Sequence, residues 1–84
     1  MRTLKTRFRF FYINVRRLLD YLRRRGYRSI SFPTLYKLAV STRKKDYPVP
    51  HPHHFKRFMK NYFKDYKIVK IRGNYYIILE KNFQ

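Results

Sequence analysis

The sequence predicts an α+β domain, and three observations lead there. Apolar residues recur at helical spacing in three separate segments, two period-two segments near the C-terminus flank a glycine, and aromatic residues make up 20% of the chain. The last figure is far above that of chains that stay unfolded. With 84 residues the expectation is one domain with a small core. Its expected parts are an extended basic arm or strand over 1–13, a three-helix core over 14–64 and a β-hairpin over 66–80.

Between residues 4 and 13, Phe8, Phe10 and Tyr12 alternate with Arg7, Arg9 and Phe11, a period of two that predicts a strand. Asn14 is then an N-cap candidate, because Val15, Leu18, Leu19 and Leu22 follow at i, i+3, i+4 and i+7 as one apolar stripe. Arginines crowd the end of this helix, where the helix dipole is negative, and Gly26 stands where a left-handed residue would stop it. The segment "YRSISF" predicts a short strand near 28–31 that must pair elsewhere. Pro33 suits a first helical turn, and Leu35, Leu38 and Ala39 extend a second helix over 33–41. "KKDYPVPHP" ends it, since Pro48, Pro50 and Pro52 hold their predecessors extended, and Pro52 opens a third helix over 52–64.

A wheel of about 100° per residue places Phe55, Phe58, Met59, Tyr62 and Phe63 on one side of that third helix. His53, Arg57, Lys60 and Lys64 gather opposite, with Lys56 and Asn61 flanking. After Asp65 the period changes to two. "YKIVKI" and "YYIILE" flank "RGN", and a Gly73-Asn74 loop predicts a type II′ hairpin. That register pairs Ile71 with Tyr76, Val69 with Ile78 and Lys67 with Glu80 on one face, and Lys70 with Ile77 and Ile68 with Leu79 on the other. On it Tyr76 packs toward the core and Tyr75 is the more exposed ring.

Charge bounds the function. There are 22 Lys and Arg against 4 Asp and Glu, a net charge of +18. The few, widely spaced carboxylates argue against a two-metal site or a paired acid and base, so no enzymatic activity is expected. The absence of cysteine removes disulfides and thiolate zinc sites. No apolar run approaches the roughly 18 residues of a membrane span, and the first residues lack the features of a signal peptide, which predicts a cytoplasmic protein with no membrane role. His51, His53 and His54 are the one cluster of metal-type ligands. A His-x-His with a tyrosine also suggests a nuclease that attacks DNA through tyrosine, but the further ligands are missing, so no metal and no cofactor are expected. His53 and His54 at a helix start suit phosphate oxygens better. A chain so positive repels itself, and a polyanion relieves that repulsion.

The order of extension, helix, short strand, helix, basic proline-rich loop, helix and hairpin resembles a winged helix-turn-helix domain, over about 70 residues. The resemblance implies double-stranded DNA as the partner and a regulator of transcription as the role. It also places the third helix in the major groove and the hairpin, as a wing, on backbone or minor groove. Small basic examples are frequent in archaea and their viruses. Arg57 and Lys60 match guanine acceptors and Asn61 matches adenine; His53, His54, Lys56 and Lys64 stand beside them, and Arg72 occupies the hairpin tip. Cations on an exposed helix face are commonly only solvated, but here they recur on helix, loop and hairpin with too few acids to neutralise them. The segment 42–51 is longer than the link of a tight helix-turn-helix, which makes Arg43, Lys44 and Lys45 an additional contact. Arg7 and Arg9 suit a groove-entering arm, or a strand that makes a homodimer. Two other readings fit the charge: a non-specific binder of RNA or single strands using exposed tyrosines, and a basic module that docks an acidic protein.

Overall fold

In the computed structural model, which describes residues 6–80, the first helix begins well before Asn14. A 3-10 turn, Thr6–Phe8, leads into α1 (Arg9–Arg24), so the extended arm expected over 1–13 is helical from residue 6 onward and otherwise lies outside the described residues. Helical spacing explains the difference. Phe11, Val15 and Leu19 continue one stripe and are fully buried, whereas Phe10 is 61% exposed. The alternation of Phe8, Phe10 and Tyr12 therefore coincided with a helical series of Phe8, Phe11, Tyr12 and Val15. Asn14 caps nothing at the N-terminus of α1. Its Nδ2 donates to the Ala39 carbonyl at 2.8 Å and to Thr42 Oγ1 at 3.2 Å. At the far end Gly26 adopts φ +97, the left-handed stop expected there, and the Tyr27 N–H reaches back to the Leu22 carbonyl.

Then come β1 (Ser29–Ser31), α2 (Phe32–Ser41), α3 (Pro52–Tyr62), β2 (Lys67–Ile71) and β3 (Asn74–Ile78). The strands form one antiparallel sheet in the order β1-β3-β2. Ile30, Ile77 and Ile68 lie in one row across it, and the face they share closes over the helices. The protein is thus a mixed α+β domain of three α-helices and a three-stranded sheet among its described residues.

Aromatic rings make the joint between the helices. Phe11 of α1 meets Phe58 and Phe55 of α3 with centroids 5.4 and 6.0 Å apart, and Phe55 also receives Phe32 and Tyr36 of α2. Phe55, Phe58, Met59 and Phe63 are buried while His53, His54, Lys56, Arg57 and Lys60 are exposed, so α3 faces as its wheel predicts. The helix ends at Tyr62, and Lys64 falls in the turn that follows. Arg16 clamps that turn to α1 with a bidentate pair to Asp65 at 2.7 and 2.9 Å, its guanidinium 4.7 Å over the Phe63 ring.

The hairpin corrects the expected register. Its turn is Arg72-Gly73, with φ +52 and +84, which is the pair of positive φ values a type I′ turn needs. Lys67 pairs with Ile78, Val69 with Tyr76 and Ile71 with Asn74, while Ile68 pairs with Ile77 and Lys70 with Tyr75. One glycine satisfies either the first position of type II′ or the second of type I′, and the positive φ of Arg72 selects the latter. The slip is by two residues, so every side chain keeps its face. What changes is the partner. Tyr75, on the same side as Ile77 and Leu79, stacks on Phe32 at 5.7 Å and 26°, so Tyr75 and not Tyr76 turns to the core.

Phe58→Ala should lower stability by about 3 to 5 kcal/mol in a chemical denaturation, whereas Lys60→Ala should change it little. Equal, mild effects would contradict this facing of α3.

Candidate nucleic-acid interface

Arginine and lysine divide the surface between them. Asp65 pairs with Arg16, Asp20 with Arg23 and Arg24, Glu80 with Arg28 and Asp46 with Arg43. The chain has four carboxylates, all now engaged, and among the described residues every ion pair uses arginine. Guanidinium presents a planar fork that matches a carboxylate, whereas ammonium is a strongly hydrated point charge. The lysines are accordingly left to the open faces.

Those faces centre on α3. Successive steps of about 100° order its outward residues Lys56, Lys60, His53, Arg57, Asn61, His54 from one edge to the other. The first edge adjoins the hairpin. There Lys56 Nζ and Lys60 Nζ lie 4.7 and 4.9 Å from the centroid of the Tyr75 ring, and Lys70 Nζ from β2 lies at 5.6 Å. The opposite edge adjoins the proline-rich loop, where His54, Arg57 and Asn61 line a shallow depression with Phe8, Pro50 and His51. One helix thus presents ammonium groups toward the hairpin and a guanidinium with a carboxamide toward the loop.

Local chemistry sets the start of α3. His51 is its N-cap, with Nδ1 accepting the His53 N–H at 3.1 Å and the two imidazoles stacked at 4.8 Å. Histidine is not among the usual N-cap residues, which is why the sequence pattern missed this role. His53 and His54 stay exposed on the first turn. Among the described residues no group of three His, Cys, Asp or Glu is placed to hold a metal ion.

The long loop separates its three cations. Arg43 is drawn inward, donating to the Tyr47 carbonyl at 2.7 Å and pairing with Asp46, so it holds the loop's shape. Lys44 and Lys45 are exposed but share a depression with Phe10, Ile13 and Arg17 of α1, away from α3. Arg72 is exposed at the hairpin turn. Sequence reasoning missed Lys70 and took Tyr75 as an exposed stacking ring, because only the type I′ register sets the two opposite each other.

Next to the Tyr75 cluster runs an apolar groove of about 510 Å³ between α2, the start of α3 and the hairpin turn. Phe32, Tyr36 and Phe55 line it, with Pro33 and Pro52 at its sides and Lys37 and Lys56 on its rim. No helix among the described residues is long and apolar enough to cross a membrane. No family model, curated protein or solved structure matches the chain.

The ammonium groups of Lys56, then Lys60, favour the phenolate of Tyr75 and hold its pKa below the ordinary tyrosine value. A spectrophotometric titration should therefore contain one phenol that ionises early, absent in Tyr75→Phe and shifted back upward in Lys56→Met. An unchanged curve in Lys56→Met would place the ammonium elsewhere.

Proposed function

We propose that the chain is a double-stranded DNA-binding protein of the winged helix-turn-helix type, with α3 as its recognition helix and β2-β3 as its wing. The observation that carries this reading is the outward face of α3, rich in cations and amide, on a domain whose four carboxylates are all engaged elsewhere. The order α1-β1-α2-α3-β2-β3 and the sheet order β1-β3-β2 support the fold assignment. A helix with its side chains is about 10–12 Å across, which suits a major groove about 12 Å wide.

On this reading Arg57 and Asn61, one turn apart, read base edges: the guanidinium takes guanine O6 and N7, the carboxamide takes adenine N6 and N7. His53 and His54 contact phosphate beside the first N–H groups of α3. Lys56, Lys60 and Lys70 neutralise the strand nearest the hairpin, and Arg72 meets backbone or minor groove. Lys64 extends the same basic surface past the helix end. A domain that binds DNA in this way regulates transcription by occupying its site.

Competition distinguishes this function from single-strand or RNA binding: duplex DNA should displace both, and the reverse order overturns the proposal. The logarithm of the affinity should fall with the logarithm of salt concentration with a slope of about −5 to −7.

Base and phosphate contacts also differ in signature. Arg57→Ala should flatten discrimination between a selected site and its single-base variants, at a cost of about 1 to 3 kcal/mol on the preferred site. Arg72→Ala should weaken all variants alike and reduce the salt slope by about one. If both substitutions act uniformly, α3 is an electrostatic clamp that reads no sequence.

A further inference from the structure

Lys56 and Tyr75 belong to two features at once. They are members of the ammonium cluster formed with Lys60 and Lys70, and they border the aromatic groove under the hairpin turn. Three ammonium groups converge on one phenol ring although the chain's carboxylates all pair with arginines elsewhere. Their mutual repulsion is relieved by an anion such as a phosphate. The groove asks for something else. Its floor is closed by the buried Phe32 and Phe55, and the half-buried Tyr36 ring with the exposed Pro33 and Pro52 favours a flat apolar body, while the exposed Asn74 amide offers both a donor and an acceptor to the edge of such a body. Its walls are set before any ligand arrives, because the Tyr36 hydroxyl donates to the Pro50 carbonyl at 2.7 Å and its ring packs on Phe55 at 5.1 Å. About 510 Å³ lies within the roughly 300–1,000 Å³ of small-molecule sites.

One chemical class is flat, polar at its edge and anionic at one end. We propose that the groove takes a single unpaired nucleotide, its base against the half-buried Tyr36 ring and the exposed Pro33 and Pro52, and its phosphate on Lys56, Lys60 and Lys70. This rests on the DNA-binding reading and narrows it. A paired base lies inside the stack and cannot enter the groove, so the domain favours duplex that carries an unpaired base where the hairpin meets it. Stacking a base on aromatic side chains is tolerant of base identity, so the groove selects for the unpaired state and leaves sequence to α3.

The test compares a duplex bearing one unpaired 2-aminopurine with the same duplex fully paired, by fluorescence anisotropy and by 2-aminopurine emission. The unpaired duplex should bind about tenfold more tightly, a difference of about 1.4 kcal/mol, and its emission should be quenched on binding. Pro33→Glu places a carboxylate at the groove from an exposed first-turn position. It should abolish both the quench and the tenfold preference while leaving affinity for the paired duplex within about twofold. Lys37→Glu on the rim of α2 reads the same effect if Pro33→Glu melts early. Equal affinity for the two duplexes, or a quench that survives both substitutions, overturns the inference and leaves duplex binding standing. Loss of binding to both duplexes in the unsubstituted protein overturns the DNA-binding reading as well. An acidic peptide with one phenylalanine that binds the groove more tightly than the unpaired nucleotide also overturns it, in favour of a protein partner.

Discussion

The fold depends on aromatic contacts strong enough to hold a like-charged shell together. A net charge of +18 on 84 residues works against compaction, and so small a domain has little apolar area to oppose it. Phe11, Phe55 and Phe58 meet at the centre, Phe32 and Tyr36 join them from α2, and Phe63 with Tyr12 extends the cluster toward the end of α3. Aromatic pairs contribute about 0.5 to 1.5 kcal/mol each beyond the area they bury, so this density of rings compensates for a limited core. The same rings fix the roll of α3 about its own axis. Its basic face is outward because its phenylalanines have nowhere else to go.

Arginine supports this arrangement from the surface. Arg16 lies over Phe63, Tyr12 and Tyr66 while holding Asp65, which joins α1 to the turn before β2 at a place where a lysine could neither stack nor bind in two-pronged fashion. Arg43 does similar work within the loop, closing it on Tyr47. Each exposed ion pair contributes little alone. Together they commit the scarce carboxylates to arginines, and none of these pairs involves a cation of α3.

Legibility in the sequence followed the strength of each periodic signal. The facing of α3 was legible because five large apolar residues within nine positions fit one helical side and no strand. The start of α1 was not, since Phe8, Phe10 and Tyr12 satisfy a period of two while Phe8, Phe11 and Val15 satisfy a helical one, and only burial distinguishes them. Arg43 looked like Lys44 and Lys45 because a charge run carries no mark of which cation finds a carbonyl. The hairpin kept its faces and lost its partners, as a two-residue slip must.

That slip bears most on the site. In a type II′ turn at Gly73-Asn74, Lys70 would lie opposite Ile77; in the type I′ turn observed, it lies opposite Tyr75 and completes a cluster whose other ammonium groups come from α3. The turn therefore decides whether the cations of helix and hairpin form one surface or two separate ones. It does so at a local cost, because Arg72 holds a left-handed φ of +52 that for a residue with a Cβ is unfavourable by about 1 to 2 kcal/mol. Asparagine or glycine would adopt that conformation more easily, yet neither would carry charge to the hairpin tip. Backbone strain at Arg72 and convergence of lysines on Tyr75 are two results of one turn geometry, and both place positive charge beside α3.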